Sequence, residues 1–262
     1  MNKGDDWQKY WDKRAEQASS DFTFDRGEIP RTTEIDRLSH EELLEFIAPG
    51  PEDDIFDAGC GTGGVMLSLR PLVRAVSGMD FSAGAVERCR FKLEQAGYDD
   101  VRATQGSITS IPIPDASVNK ILCLSVLQYL DDTAVRQALR EFSRVLKPGG
   151  VLVLHVKNLA SLYLATLRIA KHLKRILGRK TKLEHVRTFG WYRKELSNAG
   201  LSVVDYTSSS RFAVEKMPTS MLLALQQWEL RHRDRWFLRV PPIRHLGAEL
   251  KLKAVKTPWI EG

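Results

Sequence analysis

Three glycines, Gly59, Gly61 and Gly63, alternate through the stretch DAGCGTGG, which opens with Asp57. Glycine loses the most conformational freedom on folding, so such a cluster marks a backbone that turns sharply or lets a ligand lie against it. Asp80 follows Asp57 after 23 residues, and Phe81 comes next. A carboxylate there can accept from both hydroxyls of a ribose, and the ring beside it can stack on a base. Together these residues can hold a nucleoside cofactor. The plainer reading is a tight strand-to-helix turn and a helix-capping aspartate; the spacing of Asp80 favours the nucleoside.

That chemistry requires a strand before the glycines and a helix after them. The pattern supplies both: strand one near residues 54–57, then a helix from Val65. RAVSGMD is strand two and ends at Asp80; Ser82 is the expected cap of a helix to Ala96, closed by Gly97. Strand three lies near residues 101–104, and SVNKILCLSV is an apolar strand four. Asp131 and Asp132 open a helix to Leu146, which KPGG ends before strand five, GVLVLHV. A further helix precedes strand one, from about Thr32 to Ile47. Strands alternating with helices predict an α/β fold, a parallel sheet with helices on both faces. Ligands of such sheets sit beyond the carboxyl ends of the strands, where the glycines fall.

The 262 residues can bury the core of one domain with insertions. Cys60, Cys89 and Cys123 are far apart and odd in number, which argues against a disulfide framework and a metal site. They suit a reducing cytoplasm, and no apolar run approaches a membrane span. The net charge of +6 hides a division. Residues 1–157 carry 19 Lys and Arg against 25 Asp and Glu, a net −6, whereas residues 158–262 carry 20 against 8, a net +12. The second part is therefore where an anionic partner is expected.

DAGCGTGG, SGMDFS, GSITSIPIPDASVNKILCLSVLQYLDD and EFSRVLKPGGVLVLHV, in this order, resemble class I S-adenosylmethionine (SAM)-dependent methyltransferases. The resemblance is to the branch acting on quinones, lipids and natural products. It covers residues 40–157 and resumes at EHVRTFGWYRKELSNAGLSVVDY. It implies a Rossmann-like, seven-stranded, mostly parallel sheet with a helical cap from the C-terminal insertions, and SAM as cofactor. Asp57, Gly59, Gly61 and Gly63 would line the methionine part, with Cys60 contributing backbone. Asp80 would hold the ribose and Phe81 would contact adenine. Ser107 stands where the family often has an acidic residue facing the adenine amine, with the Ile108 backbone beside it. Leu124 and Ser125 would flank the sulfonium and the acceptor.

A methyl on a cationic sulfur needs an oriented nucleophile and, for a hydroxyl, a base. His155, after strand five, and His185, in LEHVRTFGW, are the candidates; the plain alternative for each is a structural or surface histidine. Gln128 and Tyr129 are candidates for the acceptor pocket, or else pack and cap the next helix. Tyr10 and Trp11 would form a lid over the cofactor, or merely staple the N-terminus to the domain. The LSVLQYL stretch lacks the Asn/Asp-Pro-Pro-aromatic motif of amino-methylating nucleic-acid enzymes. Cys123 lies in an apolar strand, where a nucleophilic thiolate is disfavoured. Ser125, rather than a carboxylate cluster, closes strand four, so no catalytic metal is expected.

These readings divide the chain into a lid segment (1–30), the SAM-binding core (31–157), a basic amphipathic insertion (158–187) and the rest of the core (188–262), with a helical insertion at about 211–247. In the basic insertion, apolar residues including Leu173 share one arc and Lys171, Lys174 and Arg175 another. It is a cap over the acceptor or a surface for anionic lipid. The reading is a metal-independent O-methyltransferase of a small or lipid-like molecule, cytoplasmic, with peripheral contact at the inner membrane surface as a variant. An RNA methyltransferase and a non-catalytic SAM-fold regulator are the alternatives. Nucleic acid is disfavoured because no RNA-binding module is recognisable. The sequence leaves the oligomeric state open.

Overall fold

The computed structural model describes residues 7–13, 33–161, 184–209, 218–232 and 247–257. A short helix, α1, covers residues 7–13. There follow α2 (Thr33–Ile47), β1 (Asp54–Ala58), α3 (Gly64–Leu69), β2 (Ala75–Asp80), α4 (Ala83–Gln95), β3 (Arg102–Gln105), β4 (Val118–Leu124) and α5 (Asp132–Val145). Then come β5 (Leu146–Lys157), α6 (Phe189–Asn198), β6 (Leu201–Ser209), α7 (Thr219–Arg231) and β7 (Glu249–Lys256).

The seven strands form one sheet in the order β3-β2-β1-β4-β5-β7-β6. Strands β1 to β5 are parallel, and β7 runs antiparallel between β5 and β6. Alternation along each strand builds two cores. Ile121 and Cys123 of β4 pack with Val135, Leu139 and Phe142 of α5 and Tyr192 and Leu196 of α6. Leu122 and Leu124 face the other way, onto Leu43 and Ile47 of α2, Met66 of α3 and Cys89 of α4. A sheet covered on both faces is why its central strands read as continuous apolar runs.

The expected stop and start signals act as read. Ser82 Oγ accepts from Ala85 N at 3.1 Å, and Asp131 Oδ1 accepts from Ala134 N at 2.9 Å. One boundary differs. The KPGG segment does not separate helix from strand; it lies inside β5, which begins at Leu146 by pairing with Val118. Leu146 and Val151 both pair with β4 across a register irregularity that spans KPGG, β7 joins only from Val151, and β5 continues to Lys157, opposite Glu249. His155 consequently lies within this strand instead of following it.

The named residues of the apolar and basic arcs of the 158–187 insertion, Leu173, Lys171, Lys174 and Arg175, fall outside the described residues. Of the second insertion, α7 is described. It packs against α2 and joins it through Arg231 and Glu34 at 3.0 Å. Beneath α2, a buried Lys251–Glu42 pair ties β7 to that helix. Among the described residues, no helix is long and apolar enough to cross a membrane.

Candidate functional site

The glycine turn crosses the carboxyl ends of β1 and β2. Gly59 has φ 95° and Gly63 φ 83°, a backbone that side-chain-bearing residues rarely adopt. A Cβ on Gly59 would meet Val126 Cγ2 at 2.1 Å, and one on Gly63 would meet Cys89 Sγ at 2.5 Å. Both glycines are therefore required by close packing as well as by conformation. A Cβ on Gly61, φ 52°, would meet nothing within 4 Å, so this part of the turn faces open space.

Hydrogen bonds hold the turn to β2. Gly59 N and Cys60 N both donate to Met79 O, at 2.7 and 3.0 Å. Gly61 N donates to Asp80 Oδ2 at 2.9 Å, and Ser82 N donates to Asp80 Oδ1 at 3.0 Å. Backbone donors thus reach both Asp80 oxygens, and a carboxylate has about four acceptor sites in all. Burial pushes the Asp80 carboxyl up, opposed by these backbone bonds. Gly106 N donates to Asp80 O at 2.9 Å, which sets Ser107 and Ile108 beside it. Ser107 is exposed, with its hydroxyl 2.7 Å from that of Thr109, while the Ile108 side chain enters the core. Phe81 is half-buried.

Asp57 is the most constrained member. Its side chain is only 2% exposed, and Oδ1 has no hydrogen-bond partner among the described residues. Burial, and then the charge of Asp80, push its carboxyl up to about 7. An orphaned buried acceptor beside a second carboxylate suits a cation that can donate hydrogen bonds. Cys60 is buried, its thiol pushed up chiefly by the Cys89 thiol and then by burial. Burial likewise pushes up the Cys123 thiol, in agreement with the case against a cysteine nucleophile.

Beyond β4 the chain forms a second wall. Leu124 is buried and Ser125 has φ 63°, an uncommon conformation for a residue with a side chain. Gln128 is 2% exposed, with no partner for Oε1 among the described residues. His185 N donates to Gln128 O at 2.8 Å, so the exposed His185 sits beside that turn. Tyr129 meets Trp7 and Trp11, at ring-centroid distances of 4.7 and 5.4 Å, and Tyr10 packs edge-on against both tryptophans. The helix α1 is thus seated on the β4 turn. Its Asp12 accepts from Ser82 Oγ and, at 3.3 Å, from Gly84 N, at the start of α4.

His155 lies elsewhere, 3% exposed within the sheet. Its Nδ1 is 2.9 Å from Ser125 Oγ and its Nε2 3.4 Å from Glu249 Oε2. The structure therefore separates the two histidines: one beside the β4 turn, one beneath Ser125.

Four contributors lay outside the sequence reading. Trp7 belongs with Tyr10 and Trp11 by helical spacing, a signal present in the sequence. Asp12 and Glu249 carry no local signal, since only the docking of α1 and the β5–β7 register place them. Arg187, 6% exposed, donates to Leu127 O, Leu130 O and His185 O at 3.0, 2.7 and 3.0 Å and to Asp132 Oδ1 at 2.8 Å. It also lies over the Trp191 ring at 4.7 Å. This one guanidinium clamps the β4 turn to the loop holding His185. Among the described residues, no group of three or more His, Cys, Asp or Glu could hold a metal ion.

Residues 55–150 match the family described as "Methyltransferase domain". The chain is 35% identical over 103 residues to the uncharacterized methyltransferase YcgJ of Bacillus subtilis, covering 39% of this chain and 40% of that protein. It is 34% identical over 126 residues to the malonyl-[acyl-carrier protein] O-methyltransferase of Pectobacterium atrosepticum, covering 48% and 47% respectively. The matched segment spans half or less of the length of such curated relatives. Among solved structures, geranyl diphosphate C-methyltransferase from Streptomyces coelicolor A3(2) superposes with a TM-score of 0.61 at 18% identity, over 96% of this chain and 98% of that one. Phosphoethanolamine N-methyltransferase 1 of Haemonchus contortus gives a TM-score of 0.67 at 17% identity, over 100% and 51%. At such identities these likenesses establish the fold. With the strand order of the sheet, they give the chain the Rossmann-like fold of class I SAM-dependent methyltransferases, and the matched methyltransferase domain, residues 55–150, carries the glycine turn.

Proposed function

We propose that the chain transfers a methyl group from SAM to an oxygen of a small or lipid-like molecule, without a metal. The observation that carries this reading is the Asp57–Asp80 pair at the glycine turn. An orphaned buried acceptor at Asp57 fits an ammonium group, and the carboxylate of Asp80 fits a ribose diol. SAM bears both groups, and its sulfonium-bound methyl supplies the electrophile.

The protein's contribution is binding, orientation and exclusion of water. Asp57 and the turn would hold the methionine part, Asp80 the ribose, and Phe81 with the 106–108 loop the adenine. Leu124 and Ser125 end the strand that points at the reacting centre. Gln128 offers a buried carbonyl oxygen with no partner among the described residues, a means of orienting an acceptor's hydrogen-bond donor. The aromatic cluster of α1 and Tyr129 would shut water out on that side. Similarity to malonyl-[acyl-carrier protein] O-methyltransferases supports oxygen as the atom methylated. The net +12 of residues 158–262 supports an anionic or amphiphilic acceptor, or contact with an anionic surface.

Calorimetry with SAM tests the cofactor assignment. Asp80→Ala removes a charged acceptor that contributes about 1.5–3 kcal/mol, so affinity should fall about ten- to hundredfold. Unchanged affinity in a folded variant would defeat the assignment. Labelled methyl transfer into extracted metabolites, lipids and RNA then identifies the acceptor class; counts confined to RNA would refute the small-molecule reading.

A further inference from the structure

Three strands bring three polar side chains into line at the methyl-transfer end of the sheet. Ser125 closes β4, His155 lies in β5 and Glu249 opens β7. Ser125 is tied to His155 twice: its backbone N donates to His155 O at 2.7 Å, and its hydroxyl lies 2.9 Å from Nδ1. With the hydroxyl donating to Nδ1, the ring proton sits on Nε2, which lies 3.4 Å from Glu249 Oε2. The left-handed backbone at Ser125, φ 63°, is a further expense in a residue that glycine could replace. The arrangement is that of a hydroxyl backed by an imidazole and a carboxylate.

We propose that Ser125, His155 and Glu249 form a proton-accepting relay, and that the acceptor is accordingly a hydroxyl that must lose its proton as it is methylated. A carboxylate acceptor arrives already deprotonated and needs no such device. The inference rests on the methyltransferase reading above. In the transfer the acceptor oxygen bonds to the methyl carbon, and the carbon–sulfur electron pair stays on sulfur as a neutral thioether. The hydroxyl proton passes to Ser125 Oγ as the serine's own proton passes to His155 Nδ1. Glu249 stabilises the imidazolium, which afterwards releases one proton to solvent. Ser125 touches the acceptor, and the other two act through it.

The surrounding charges are compatible with this role. Lys251 pairs directly across from His155 in the β5–β7 register but is held by Glu42 from α2. Lys157 stands opposite Glu249 and is held by Glu184 at 2.7 Å. Ser209 Oγ of β6 donates to Glu249 Oε2 at 3.3 Å. Both lysines thus have their own carboxylates.

The test is nitrogen-15 NMR of histidine-labelled full-length protein, with His155→Phe identifying the resonances. The neutral ring should carry its proton on Nε2, with Nδ1 in the hydrogen-bonded acceptor range. Glu249→Gln should lower the pH midpoint of His155 protonation, because the carboxylate that stabilises the imidazolium is removed. A ring protonated on Nδ1, or a midpoint that Glu249→Gln leaves in place, would overturn the relay. Wild-type tautomer data need no variant, so misfolding of Glu249→Gln does not rescue the idea. Calorimetry with SAM runs in parallel: absent binding in the wild type defeats the methyltransferase reading itself, whatever the histidine does. Finally, cell extract labelled with methyl-tritiated SAM is treated with base. Base-stable counts in a methyl ether support the hydroxyl acceptor, whereas counts released as volatile methanol from an ester, or found in an N-methyl product, overturn it.

Discussion

Asp57→Asn isolates the energetic consequence of burying a carboxyl without a partner. Burial and the Asp80 charge raise this group from 3.8 to about 7. A raised acid binds its proton more tightly in the folded state. Its contribution to stability is therefore fully present below about pH 4 and is lost as pH rises through about 7. Three units at 1.36 kcal/mol each set an upper bound of about 4 kcal/mol; between pH 5 and pH 8 the loss is about 2–3 kcal/mol. Asparagine keeps the shape and has no proton to lose. Urea unfolding of ligand-free wild type and Asp57→Asn across this range should show the variant gaining on the wild type as pH rises. SAM should reverse the ranking. A cation at the site favours the ionised carboxylate, so wild-type affinity should rise up to about pH 7 while the variant's stays flat and weaker. Parallel pH–stability curves for the two proteins would refute the argument, because Asp57 would then titrate alike in folded and unfolded chains.

Three other perturbations follow from the same structure. Methyl transfer should survive EDTA, because Ser125 stands where a carboxylate cluster would be needed; loss on chelation with rescue by magnesium would contradict this. Asp12→Ala removes the carboxylate that α1 places at the start of α4 and should weaken its docking by about 0.5–2 kcal/mol, read as faster hydrogen exchange at residues 7–13 with global stability little changed. Phe142→Ala opens a cavity between α5 and the sheet and should cost about 3–5 kcal/mol of unfolding free energy, with SAM affinity per folded molecule unaltered.

The α/β class, most element boundaries within a residue or two, the helix caps at Ser82 and Asp131, and the glycine turn with Asp80 beside it were legible in the sequence alone. Those features are local. A glycine turn, a capping hydroxyl and an apolar run each act on neighbouring residues, and Asp80 is fixed by one strand–helix–strand unit. Tertiary structure decided the rest. KPGG falls within β5 because Leu146 before it and Val151 after it both pair with β4, across a register irregularity. Cys60 and Cys89, separate in sequence, met behind the glycine turn. His155 and His185 were both candidate bases in the sequence, yet one is buried behind Ser125 and the other lies exposed beside Gln128. Glu249, 94 positions beyond His155, came to face it only because β7 enters the sheet antiparallel between β5 and β6. Arg187 gained its four partners because the β4 turn and the loop before α6 converge. Such contacts depend on register and crossover across long separations, and these are set by burying both faces of the sheet at once.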